Sequence, residues 1–134
     1  MMNIVKLCVG AESIADLARY QSGRGEVSHT TRMFPKRREE VLNGGSLFWV
    51  IKGSILARQQ IIDLVEVVGT DGIARCKMVL DPEIVRVAPT LKRPFQGWRY
   101  LKPADSPPDL GGYDESEDEL PPELQKGLAE LGIL

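Results

Sequence analysis

The chain is poor in the residues that most often announce chemistry. It has one histidine, two cysteines and no apolar run near the roughly 20 residues that a bilayer-spanning helix requires. Zinc normally takes three or four protein ligands, so this inventory predicts no metal site and no cofactor. No GxGxxG, Walker, GxSxG or HExxH pattern occurs. Cys8 and Cys76 lie inside apolar strand patterns, where a thiol behaves as a small hydrophobe, and so few cysteines fit a reducing compartment. The opening MMNIVKLCVG has one lysine and no cleavage-site pattern. It reads as a first strand, and the expected location is the cytoplasm without membrane contact.

What is present is an ordinary globular composition with an uneven charge. At 134 residues, 43% hydrophobic and 27% charged, the chain can bury a core of its own. The net charge of −2 conceals two regions. Residues 1–101 hold 15 Lys and Arg against 10 Asp and Glu; residues 102–134 hold 2 against 9. A basic body with an acidic tail favours polyanionic or phosphate-bearing ligands.

Periodicity and turn chemistry lay out the elements. Asn3 to Val9 reads as a strand, Ala11 to Tyr20 as a helix and SGRGE (22–26) as a loop. Val27 to Phe34 is extended ahead of Pro35, and Lys36 to Leu42 is a short helix stopped by Asn43-Gly44-Gly45. Leu47 to Lys52 is a buried strand. Leu56 to Val68 and Ile73 to Leu80 form a hairpin about Gly69-Thr70-Asp71-Gly72. Val85 to Val87 and Arg93 to Leu101 add strands. The sum is an α+β domain over residues 1–110, built as a small, mostly antiparallel curled sheet or β-barrel with two or three short helices.

After Leu101 the composition turns to Pro, Gly and acids, too polar to order itself. Residues 111–134 are expected to be an acidic tail whose Leu120, Leu124, Leu128 and Leu131 stripe a short amphipathic helix, Pro122 to Leu131. That stripe would dock on its own domain or on a protein partner.

Two constellations could carry function. In SHTTRMFPKRREEVLNGGSLFWVIKG (28–53), Arg32, Lys36, Arg37, Arg38 and Lys52 surround a helix, a Gly-Gly turn and an aromatic strand, with Arg58 just beyond. Arg32, Lys36, Arg37, Lys52 and Arg58 are expected to converge on phosphate, beside Trp49. In RPFQGWRY (93–100), Arg93 and Arg99 interleave with Phe95, Trp98 and Tyr100, a pattern suited to stacking on bases or to a closing core strand. His29, flanked by Ser28, Thr30 and Thr31, reads as a satisfied or surface residue more than as part of a nucleophile–His–acid set. A catalytic trio of Lys36 or Lys52, Thr30 or Thr31, and Glu39 or Glu40 has the right residue types only.

The blocks IVKLCVG (4–10), HTTRMFPKRREEVLNGGSLFWVIKG (29–53), VLDPEIVRVAP (79–89) and RPFQGWRYLKPADSPPDL (93–110) resemble an uncharacterised bacterial family catalogued as a domain of unknown function. This resemblance spans residues 3–110 and leaves out the tail. The order of KRREEVLNGGSLFWVIKG also resembles PUA-like domains of the ASCH and EVE types, which implies a curled β-barrel and RNA or modified-base recognition. The expected function is therefore a non-catalytic module for RNA or a nucleotide-like ligand, with Trp49 or Trp98 stacking on a base. The alternatives are a small hydrolase of a modified nucleoside or amide, and an interaction protein acting through its tail.

Overall fold

A computed structural model describes residues 1–23 and 25–113. The elements run β1 (Asn3–Leu7), α1 (Ile14–Gln21), β2 (Val27–Thr31), α2 (Arg38–Leu42), β3 (Ser46–Ile51), β4 (Ser54–Val68), β5 (Ala74–Leu80), β6 (Val85–Leu91), β7 (Trp98–Leu101) and β8 (Asp109–Gly112), with a 3-10 turn at Pro103–Asp105 between the last two strands. The expected helix Pro122 to Leu131 and the acidic run before it lie outside the described residues.

One mixed sheet holds all eight strands, in the order β2-β5-β4-β3-β1-β7, with β6 on β4 and β8 on β6. Only β1 and β3 run parallel; every other pair is antiparallel. The 15-residue β4 organises it. Its first part, Ser54 to Arg58, lies between β3 and β6, and its second part, Ile61 to Val68, pairs with β5. Leu56 is a bulge against β3, where Val50 faces Ile55 while Trp49 faces Ala57, and Ile62 is a second bulge at the start of the β5 pairing, where Ile61 faces Leu80 and Asp63 faces Val79. The sheet is curled and is not closed into a barrel: β2, β7 and β8 each pair with a single strand and remain its edges, the last two joined by residues 102–108.

The curl separates two cores. The smaller holds Val5, Phe48, Val50, Ile55, Val87 and Leu101. The larger holds Ile4, Leu47, Trp49, Ala57, Ile61, Met78 and Leu80, and is covered by α1, α2 and β2. Alternate residues of β3 therefore enter different cores, which is why all six are buried and why its sequence is continuously apolar. The Gly-Gly stop serves two needs. Gly44, at φ +87°, ends α2 in the left-handed region, and a Cβ on Gly45 would come within 2.2 Å of the Met2 carbonyl oxygen.

The stretch after Leu101, expected to lack order, is ordered as far as Gly112. Arg58 binds both oxygens of Asp109, from Nε at 2.7 Å and from a terminal nitrogen at 2.6 Å, and so ties β8 to β4. The buried Asn3 side chain accepts from the Ser46 N–H at 2.9 Å and donates to Ser106 Oγ at 2.9 Å, anchoring the connection. Among the described residues no helix is long and apolar enough to cross a membrane.

Candidate nucleic-acid interface

The segment from Arg32 to Arg37 leaves β2 and runs beside the edge strand β7. Thr31 turns it by donating its hydroxyl to the Met33 carbonyl at 3.2 Å. That carbonyl also accepts the Trp98 indole N–H at 2.8 Å, and the Arg37 backbone N–H donates to the Tyr100 hydroxyl at 3.0 Å. The Arg37 guanidinium lies 5.8 Å over the Tyr100 ring, and Trp98 and Tyr100 stack edge to face at 4.9 Å. The two constellations read separately in the sequence are thus one surface.

Strand alternation puts Trp98 and Tyr100 on one face of β7 and Arg99 on the other. On that second face the Arg99 guanidinium stands 5.1 Å, and the Lys92 ammonium 6.0 Å, from the Phe95 ring. Arg93 is exposed next to them. Among the described residues β7 pairs only with β1, so its outer edge carries these cations on both flanks.

Charge pairing distinguishes this edge from the rest of the molecule. Elsewhere most cations meet carboxylates, with Lys6 of β1 an exception: Arg19 with Asp16, Arg38 with Asp63, Lys52 with Glu12, Arg58 with Asp109, Arg75 with Asp71 and Lys77 with Glu26. Among the described residues no ion pair holds Arg32, Lys36, Lys92, Arg93, Arg99 or Lys102, and of the edge cations only Arg37 is paired, with Glu40 at 3.2 Å. A cation without a local carboxylate keeps its full attraction for a polyanion.

The structure therefore sorts the expected site residues. It joins the segment that carries Arg32, Lys36 and Arg37 to β7 through Met33 and Arg37, and puts Arg93, Trp98 and Arg99 on or just before that strand. It does not bring Lys52 there, which sits at φ +50° in the β3–β4 turn and pairs with Glu12 at 3.8 Å. Nor does it bring Arg58, whose ionised form is held by Asp109; the same pair keeps the Asp109 carboxyl below its usual range. Trp49 is corrected outright as a stacking platform. It is 3% exposed in the larger core, and its indole N–H is spent on Gln59 Oε1 at 2.9 Å. Trp98 is half-buried against that core with its N–H engaged, so the available aromatic faces are Tyr100 and Phe34, 37% and 36% exposed. The sequence reading left Lys92, Lys102 and Tyr100 out of the site. Their signal was the run from Ile84 to Ala104, which has five cations and no acid.

The catalytic arrangements do not assemble. Thr30 and Ser28 point outward from β2, the Thr31 hydroxyl is committed to Met33, and Glu40 pairs with Arg37. His29 faces inward and meets Trp49 edge-on at 5.3 Å; it is neither satisfied nor on the surface, because its Nε2 is buried without a hydrogen-bond partner. Burial, with Lys6 nearby, pushes its pKa down to about 4. Burial likewise raises the Cys76 thiol to about 11 and raises Cys8, so neither is a thiolate nucleophile. The main concavities lie elsewhere. One of about 340 Å³ is lined by Arg58, Gln60, Asp81, Glu83 and Asp109, and its acids disfavour an anion.

Residues 4–134 match the family described as Protein of unknown function (DUF1489), and the chain belongs to that family. The match continues past Leu110 through the acidic tail, which corrects the expectation that the tail lies outside the family. No curated protein and no solved structure matches the chain.

Proposed function

We propose that this DUF1489 member is a non-catalytic RNA-binding module whose contact surface is the outer edge of β7. The observation that carries the reading is the gathering of cations without carboxylate partners, Arg32, Lys36, Lys92, Arg93, Arg99 and Lys102, around one strand edge. These groups neutralise phosphates, while Tyr100 and Phe34 offer ring faces to unpaired bases, each stack contributing roughly 1–3 kcal/mol. A single strand fits best, because bases reach an aromatic face only when unstacked from a duplex. The PUA-like order of helix, turn and strand points to the same ligand class.

Fluorescence anisotropy with a labelled mixed-sequence RNA tests the reading. Binding is expected at low salt, with log K falling against log salt by about 0.7 for each phosphate neutralised. Arg93→Ala with Arg99→Ala should make that slope shallower by about 1.4, and Tyr100→Ala should weaken binding at every salt concentration. Lys52→Ala should change neither. An absence of binding at low salt, or equal losses from Lys52→Ala and the double variant, would refute the proposal.

A further inference from the structure

We infer that His29 and Lys6 form a site for a small oxyanion, of the phosphate or carboxylate kind, beneath β2. The inference is independent of RNA binding at the β7 edge. Its floor is set by register. Lys6 on β1 lies directly opposite Trp49 of β3 on one side and Trp98 of β7 on the other, so the three side chains share one sheet face. His29 comes down on that face from β2, whose inward residues are Val27, His29 and Thr31, and its ring meets Trp49 at 5.3 Å. The Trp98–Met33 hydrogen bond fastens the segment after β2 to the same floor.

The groups left over in this place are donors. Both indole N–H groups are already used, Trp49 on Gln59 and Trp98 on Met33. Lys6 is half-buried as a residue, and its ammonium has no ion-pair or hydrogen-bond partner among the described residues. The buried His29 Nε2 also has none. A buried polar atom without a partner requires an explanation, and an ammonium without a carboxylate keeps its full attraction for an anion. One oxyanion answers both, accepting from the ammonium and from the imidazole N–H. The charged or titratable groups on this face are Lys6 of β1, the Cys8 thiol just beyond that strand, the Cys76 thiol of β5 and the Tyr100 phenol of β7; β3, β4 and β5 otherwise present Trp49, Ala57 and Met78. No carboxylate competes for the site.

His29 is the chain's single histidine, so its imidazole NMR signals can be assigned without ambiguity. The full chain is titrated with acid in inorganic phosphate, in acetate and in chloride of equal ionic strength. An oxyanion beside the ring favours the imidazolium, so the midpoint should move up from about 4, by about one unit or more, in phosphate or acetate. Lys6→Met should abolish the difference between anions, and tryptophan emission should respond to the same anion. Identical midpoints in all three salts overturn the inference, whether or not Lys6→Met folds. A shift that persists undiminished in folded Lys6→Met overturns it as well.

Discussion

Single side chains at the core boundary set much of the stability. Gln59 is fully buried, and every polar atom of its amide is used. Its Oε1 accepts from Trp49 Nε1 at 2.9 Å and Gln21 Nε2 at 2.8 Å, while its Nε2 donates to Gln21 Oε1 at 2.7 Å and the Asp81 carbonyl at 3.1 Å. Gln59→Leu keeps the volume but strands several of these partners. At roughly 1–3 kcal/mol for each buried group left unpaired, a loss of about 3 kcal/mol is expected in urea denaturation. His29 makes a different contribution. Its pKa is about 4 when folded, against 6.5 for a free histidine side chain, so the unfolded chain binds more protons between those values. Stability is therefore complete above pH 6.5 and falls as the pH drops toward 4, by on the order of 2 kcal/mol after allowance for the ring's partial exposure. Asp71, held near 2 by Arg75, titrates below this window. His29→Phe should flatten the stability profile between pH 6.5 and 4; an unchanged slope would show that other groups govern it. Neither residue was legible in the sequence. One Gln of the Gln59-Gln60 pair and a lone His in strand patterns carry no sign of which core they enter.

At the scale of elements, local signals were read correctly wherever the chain alone decides them. The Gly69–Gly72 turn, the alternation of Ala74 to Leu80 and the apolar run of β3 each correspond to an observed element. The errors come from elements stabilised by distant partners. β8 was unreadable because Asp109–Gly112 has no apolar side to bury apart from Leu110, itself exposed. Its order rests on backbone bonds to β6 and on the Arg58–Asp109 pair, 51 residues apart in sequence. Arg58 looked like a phosphate ligand for the same reason: its carboxylate partner lay in the stretch after Leu101 that was expected to lack order. Asp109→Asn removes the charge and one half of the bidentate geometry. It should cost about 1 kcal/mol overall, given the pair's partial exposure. Hydrogen exchange should quicken in β8 while amides of β3 and β4 stay protected. Equal loosening throughout would show that β8 is not a separate unit.

Over the whole molecule, charge was legible where geometry was not. The sequence shows a basic body and an acidic tail, but only folding reveals that Arg38, Lys52, Arg58, Arg75 and Lys77 are neutralised locally and that Lys92, Arg93, Arg99 and Lys102, which have no ion pair, lie on or beside β7. The site was half legible because its two segments, 32–37 and 92–102, are 55 residues apart and meet only through the Trp98–Met33 and Arg37–Tyr100 hydrogen bonds. Residues 114–134 hold seven acids and one lysine, a charge of −6, so residues 1–113 carry +4 within the total of −2. A tethered segment of that charge lowers the attraction of the basic body for any second polyanion. Deleting residues 114–134 should therefore tighten RNA binding at low salt. The gain should shrink as the Debye length falls from about 10 Å at 0.1 M salt to about 3 Å at 1 M. A gain that survives high salt would point to steric blocking by the tail, because screening removes only the electrostatic part. Weaker binding after deletion would mean that the tail contributes contacts of its own, which its charge opposes.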